Sequence, residues 1–448
     1  MKKLVFLFIT LGVLSSSKAQ FIKRIAERAK NKIEQKTGDK VDKTIDDATD
    51  GKKNKKDNDN RSDNESNTNA GNDNSTVSSD NSSNSSTSAS DEPSSEGKPA
   101  KLEAYSKYDF VPGEKVIAYE DFARTEIGDF PQRWNTNATA EVVKLNNRDG
   151  QWLKIAKDGA YHPEFITSLP ENFTLEFDLG VNDNWNSWPL AFNIVNLKDP
   201  DQFAKYGYYV QWQGDHALHL EFKPYVTASG ANGNSKLIAG KGGTHQINND
   251  VGFTSWNSTT SKFAHISIWR QKQRLRVYLN GEKIWDIPRA FDAASTYNAL
   301  TIGSQGAYAK NNDFYLLNNL RLAIGAPDTR AKLITEGKFV TSGILFDVNK
   351  DVVKAESYGT LKDIANVLKE NSSVRVKIVG HTDSDGDDAA NLELSKRRAA
   401  AVRAALHSEF GIDESRMETD GKGESQPVDD NTKETGKANN RRVEFIKH

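Results

Sequence analysis

The 448-residue chain contains no cysteine, which excludes disulfide scaffolds, thiolate metal sites, catalytic thiols and the lipidated N-terminal cysteine of a lipoprotein. Attachment to an envelope is therefore expected to be non-covalent. Charge of one sign is missing too: 62 acidic residues face 60 basic ones, for a formal net charge of −2, so no nucleic-acid-coating role is expected. No stretch approaches the roughly 18 uninterrupted apolar residues of a transmembrane helix. Hydrophobic residues make up only 36% of the chain, so part of it cannot be core. The eight histidines show no metal spacing, and no P-loop or dinucleotide fingerprint follows a strand pattern. No cofactor is expected on these grounds.

What is present falls into five segments. Lys2 and Lys3 precede the apolar run Leu4 to Leu14, and Ser17 and Ala19 place small residues before Gln20. This predicts a secretory signal peptide over 1–19. Phe21, Ile22, Ile25, Ala26, Ala29 and Ile33 recur at helical spacing, which predicts a thin amphipathic helical segment over 20–48. Residues 49–100 are rich in Asn, Ser and Asp, with Val77 as the sole large aliphatic side chain from Gly51 onward. Such a segment cannot bury enough apolar surface to offset its ordering entropy and is expected to be a disordered linker.

Composition changes near Lys101. All eight tryptophans lie before residue 286, and alternating runs dominate. Leu175, Phe177 and Leu179 alternate with Thr174, Glu176 and Asp178, and Ile266 and Ile268 with His265 and Ser267, the period of half-buried strands. Leu275, Val277 and Leu279 lead into Asn280-Gly281 and a return run to Ile287, which predicts a hairpin on a type I′ turn. Many short strands over 101–328 argue for one antiparallel β-sandwich.

After Thr329 the period changes. Val340 to Phe346 reads as a strand, and Leu361, Ile364, Ala365 and Leu368 form a helical stripe. Val374, Val376 and Ile378 alternate, a second helix runs from about Asn391 to Ser408, and Arg442 to Ile446 is the last strand. Residues 335–448 are expected to be a separate α/β unit. In the second helix Arg398 shares the inward stripe with Leu394, where an arginine is costly unless paired. The loop Gly380-His381-Thr382-Asp383 supplies a carboxylate nearby. Asp383 and Arg398 thus read either as a structural ion pair or as a receptor for a zwitterion, the carboxylate for an ammonium and the guanidinium for a carboxylate.

Gly380-His381-Thr382-Asp383, Asn391, Leu394-Ser395, Arg398-Ala399, Gly421-Lys422-Gly423-Glu424-Ser425-Gln426-Pro427 and Asn440-Arg441-Arg442-Val443 occur in order. In order and spacing they resemble the OmpA C-terminal-like domain shared with Pal and MotB proteins. The resemblance implies non-covalent binding of peptidoglycan through the diaminopimelate residue of the stem peptide. It implies Asp383 as receptor of the amino group, Arg398 as receptor of the carboxylate, Asn391 as a pocket neighbour and Asp347 at the rim. Ala390, Lys422 and Lys437 depart from the usual residues around the pocket.

Glu176-Phe177-Asp178 and the Arg276 to Ile287 hairpin make 101–328 resemble the concanavalin A-like, laminin G-like jelly roll. One glucanase family of that architecture carries Glu-x-Asp-x-x-Glu, but Val181 stands where the last carboxylate would be. Trp185 and Trp188 are a candidate sugar-stacking pair, against the commoner use of tryptophan in a core. The same Asp/Asn-rich loop, Asn182 to Trp188, is a candidate calcium site.

The expected fold is multidomain: a disordered linker, a jelly-roll sandwich and an OmpA-like α/β domain. The expected protein is a periplasmic, non-enzymatic one associated with the cell wall and outer membrane. It would bind peptidoglycan and present the sandwich to a glycan or envelope protein. The alternatives are a wall-tethered carbohydrate-active enzyme and a structural outer-membrane-to-wall linker.

Overall fold

The computed structural model describes residues 109–448, apart from 184, 209–214, 225, 227–231, 306–311 and 326–327. The signal peptide, amphipathic segment and linker expected over 1–100 lie outside the described residues.

Residues 115–324 form two antiparallel sheets. The eight-stranded sheet runs Glu282–Ile287, Arg274–Leu279, Phe263–Gln271, Asn172–Val181, Tyr315–Ile324, Gln151–Ile155 and Ala140–Lys144, with Lys115–Glu120 also paired to Tyr315–Ile324. The seven-stranded sheet runs Thr244–Phe253, Gly233–Lys241, His216–Lys223, Leu190–Val195, Ala299–Ser304, Gly159–Pro163 and Trp134–Thr136. One apolar core joins them: Leu175, Phe177 and Leu179 of the first meet Phe192, Leu218, Leu220 and Phe222 of the second. Phe177 stacks on Phe192 with ring centroids 4.2 Å apart. Each such side chain, fully buried, contributes about 1.5–3 kcal/mol. The hairpin turn is as expected, since Asn280 and Gly281 both take positive φ, 49° and 83°.

One expectation fails instructively. The strand Asn172–Val181 is buried on both faces beyond its first residue, not half-buried. Its outward residues Glu176 and Asp178 lie beneath the C-terminal region, where Arg321 of the neighbouring strand donates to Glu176 and, at 2.7 Å, to Ser342 Oγ. Alternation revealed the strand but not what would cover its polar side.

The C-terminal region holds a four-stranded sheet in the order Lys338–Thr341, Val443–Lys447, Val376–His381 and Met417–Gly423, with only the last pair parallel. Helices α1 (Tyr358–Glu370) and α2 (Asp388–Phe410) bury Leu361, Ile364, Ala365, Leu368, Ala399 and Val402 in its core, and α3 (Glu434–Asn440) precedes the last strand. Helix α2 starts earlier than its apolar stripe suggests, because the Asp387 side chain caps it by accepting from Ala390 N at 3.0 Å. It ends on Gly411 at φ 69°. Gly380 and Gly421 let α2 approach the strands: a Cβ on either would lie 2.3–2.4 Å from Ser395 or Lys396. The strand expected over Val340–Phe346 is instead Lys338–Thr341. The chain turns at Ser342-Gly343, with Gly343 N donating to Thr341 Oγ1, and Phe346 forms only an isolated bridge to Val353.

The two regions meet along α3 and the strand Lys115–Glu120. The Asn439 side-chain amide pairs with the Val116 backbone in both directions, at 2.9 and 3.0 Å, beside a small apolar cluster of Val116, Ala323 and Ala438.

Candidate functional site

The loop after Val376–His381 is pinned by its backbone: His381 N donates to Arg442 O and Thr382 N to Gly423 O, both at 3.0 Å. This fixes Asp383, which is 8% exposed. Its Oδ2 accepts from Arg441 Nη1 at 2.5 Å and its Oδ1 from Asp385 N at 3.2 Å. The direct Asp383–Arg398 pair is absent among the described residues; Arg441 takes that place.

Arg398 projects from α2 and is equally buried. Its Nε donates to Lys350 O at 3.0 Å and its Nη2 to Asp347 O at 3.3 Å, and its guanidinium lies 4.9 Å from the centre of the Phe346 ring. Among the described residues no carboxylate lies within ion-pair distance of it. Burial, reinforced by the Arg441 charge, pushes its pKa down to about 10. A guanidinium desolvated without a counter-ion is primed to accept an anion.

Asn391 and Asp347 frame this pair. The Asn391 amide donates to Glu424 Oε2 at 2.6 Å and to Asp385 O at 3.1 Å, joining the Gly421 to Pro427 segment to the loop. Asp347 offers its carbonyl to Arg398, while its half-exposed carboxylate lies 3.7 and 3.8 Å from Lys350 and Lys354. Sequence reasoning brought Asp383, Arg398, Asn391 and Asp347 into one locality, and the structure has them there.

It missed Arg441 and Tyr119. Arg441 lay in the Asn440-Arg441-Arg442 motif, but nothing in its spacing assigned it to Asp383. Its guanidinium sits 5.0 Å from the centre of the Tyr119 ring, contributed by the two-sheet region. Burial works against the Arg441 charge, but Tyr119 and Asp383 outweigh it and keep its pKa above the ordinary arginine value. Burial also pushes the Tyr119 hydroxyl well above its usual pKa. Beside them a cavity of about 140 Å³ is lined by Arg398, Arg441 and Phe346 on one side and Tyr119, Glu176 and His265 on the other.

The wall of that cavity is an ionic cluster. His265 Nδ1 lies 2.7 Å from Asp178 Oδ1, and its Nε2 lies 3.6 Å from Glu176 Oε2. Burial opposes the His265 charge, but the hydrogen bond to Asp178 and the nearby Glu176 carboxylate raise its pKa to about 10. Burial likewise opposes the two carboxylates, and Arg321 and His265 nonetheless hold Glu176, and His265 holds Asp178, below the usual range. Val181, three residues beyond Asp178, is a core residue.

The expected Trp185–Trp188 platform divides. Trp185 is fully buried and packs edge-on against Tyr315 at 5.2 Å, so no sugar can stack on it. Trp188 is 50% exposed. In the candidate calcium loop, Asn182 Oδ1 accepts from Phe314 N at 2.8 Å and Asp183 pairs with Lys262, so these oxygens serve protein contacts. Among the described residues no helix is long and apolar enough to cross a membrane.

Residues 345–441 match the OmpA family. The chain is 42% identical over 127 residues to outer membrane porin F of Pseudomonas aeruginosa, covering 26% of this chain and 36% of that protein. It is 40% identical over 104 residues to the probable lipoprotein YiaD of Escherichia coli, covering 23% of this chain and 47% of that protein. The chain thus spans about a third to a half of the length of these curated relatives. Among solved structures, the peptidoglycan-associated lipoprotein from Burkholderia pseudomallei is 32% identical, covers 23% of this chain and 88% of that chain, and has a TM-score of 0.22. The chain carries an OmpA family domain at residues 345–441.

Proposed function

We propose that this is an exported protein of the cell envelope that binds peptidoglycan non-covalently in the periplasm, close to the outer membrane. Arg398 receives the carboxylate of a diaminopimelate stem residue and Asp383 receives its ammonium. The two-sheet region, read as a concanavalin A-like jelly-roll sandwich, is a recognition domain and not an enzyme. One observation carries the reading: Arg398 is buried, depressed in pKa and, among the described residues, hydrogen-bonded only to main-chain carbonyls, beside a carboxylate that is itself held in place. The OmpA family domain and the envelope proteins among the relatives support the setting. Two charge-assisted contacts of about 1.5–3 kcal/mol each make either truncation cost roughly tenfold or more in affinity. Pelleting with insoluble sacculi tests this. Asp383→Ala and Arg398→Ala, folded by circular dichroism, should each abolish co-sedimentation, and full binding by folded Arg398→Ala would overturn the reading.

A further inference from the structure

The outer face of the seven-stranded sheet carries a second cavity, of about 530 Å³. Its floor comes from strand alternation. In His216–Lys223 the residues Leu218, Leu220 and Phe222 point into the core, so His219, Glu221 and Lys223 point outward. Outward polar side chains are ordinary in a sheet. Here, however, two of them are buried, His219 at 3% and Glu221 at 9% exposure.

Their hydrogen bonds form a directed chain. The Asn193 amide nitrogen directs its two hydrogens at three acceptors, Tyr206 O at 2.9 Å, Gly207 O at 3.0 Å and Thr301 Oγ1 at 3.2 Å. That fixes the amide orientation and leaves Oδ1 as acceptor for His219 Nδ1 at 2.7 Å. His219 Nδ1 therefore carries a hydrogen, and its Nε2 faces Glu221 Oε1 at 2.9 Å with one proton between them. Glu221 Oε2 has no partner among the described residues. A buried polar network costs stability unless every member is satisfied, and this one ends on an oxygen left open at the cavity.

The lining also selects a class of ligand. Glu221 pairs in register with Lys236, and Lys236 with Asp250, so acceptor, donor and acceptor alternate across three strands. With Lys223, His219 and His245 the lining interleaves hydrogen-bond donors with the two carboxylates of Glu221 and Asp250. That interleaving suits a polyhydroxylated ligand, whose hydroxyls both donate and accept. The half-exposed indole of Trp188 lines the same cavity and offers a flat apolar face beside polar groups. Over His216–Lys223 and Gly233–Lys241, which are each paired on both sides, no peptide can add as an extra strand; among the described strands that line the cavity, only the edge strand Thr244–Phe253 has a free side.

We propose that this cavity binds a neutral oligosaccharide, with Trp188 stacked on a sugar ring and Glu221 and Lys236 hydrogen-bonded to its hydroxyls. The proposal deepens the recognition role given above to the two-sheet region and is independent of Asp383 and Arg398. Isothermal titration of the full chain with the hexasaccharides of laminarin, cellulose, mannan, xylan and chitin, and with a heparin hexasaccharide, tests it. At least one neutral hexasaccharide should bind with unit stoichiometry. Trp188→Ala and Glu221→Gln should each weaken it about tenfold or more at unchanged melting temperature, and Asp383→Ala should leave it unaltered. Tighter binding of the heparin fragment, no neutral binder, or undiminished binding in both cavity variants would overturn the proposal. Sacculus pelleting of Trp188→Ala separates the two readings: retained pelleting without a saccharide ligand removes the cavity proposal and leaves peptidoglycan binding standing.

Discussion

Asp383 is bonded to Arg441 at 2.5 Å, while Arg398, fifteen residues further along, donates among the described residues only to the main-chain oxygens of Lys350 and Asp347. The two site residues therefore stand in opposite energetic positions. Asp383 is a buried carboxylate paired with the part-exposed Arg441; Arg398 is a buried cation with no carboxylate within ion-pair distance among the described residues.

That contrast predicts opposite effects on stability. Asp383→Ala removes the carboxylate that accepts from Arg441 and from Asp385 N and should destabilise the chain by about 1–3 kcal/mol, the cost of losing charge-assisted hydrogen bonds. Arg398→Met keeps the stem against Phe346 and removes the desolvated charge, so stability should be unchanged or higher by about 1 kcal/mol or more. Urea unfolding of the full chain measures both. A loss in Arg398→Met as large as that in Asp383→Ala would mean that Arg398 is a structural partner and not a receptor.

The ionic cluster beneath the C-terminal region predicts a pH profile. His265, with a folded pKa raised from 6.5 to about 10, contributes stability that is fully present below about 6.5 and is lost as pH rises toward 10. Glu176 and Asp178, depressed from 4.5 and 3.8, contribute stability that is present above those values and lost as pH falls through their lower folded values. Lys354 lies near Asp178, and its pKa is raised: burial opposes its charge, but Asp178 and Glu356 outweigh it. The melting temperature should therefore hold level from about pH 4.5 to 6.5 and decline from 6.5 to 10. His265→Gln should flatten the alkaline decline while lowering the plateau. A wild-type profile that is level up to pH 10 would show that His265 is not charged in the fold.

The same cluster marks where sequence reasoning stopped. Periodicity of 2 located Asn172–Val181, and the Asn280-Gly281 dipeptide located its hairpin, because both signals are local. Helix α1 was legible for the same reason, its four stripe residues all being buried. Whether Glu176 and Asp178 face water depends on a region some 170 residues away, and no local pattern encodes that. Motif spacing brought Asp383, Arg398 and Asn391 together but could not distribute the ion pairs, since Arg398, Arg441 and Arg442 are equally suitable partners on paper. Trp185 and Trp188 look alike in the sequence, and only tertiary packing sends one into the core. The Asn193–His219–Glu221 chain joins two strands through 28 residues of sequence and has no motif at all.

Tyr119 ties the two-sheet region to the site, and its removal gives the sharpest test of that coupling. Its ring lies 5.0 Å from the Arg441 guanidinium, which in turn holds Asp383. A desolvated cation over an aromatic face contributes about 0.5–2 kcal/mol. Without the ring Arg441 is less confined, and Asp383 loses part of its orientation although it touches nothing that was changed. Tyr119→Leu should therefore weaken sacculus binding by roughly 2- to 30-fold. Tyr119→Phe keeps the ring and should restore most of it. Full binding by a folded Tyr119→Leu variant would mean that the two-sheet region flanks the site without shaping it.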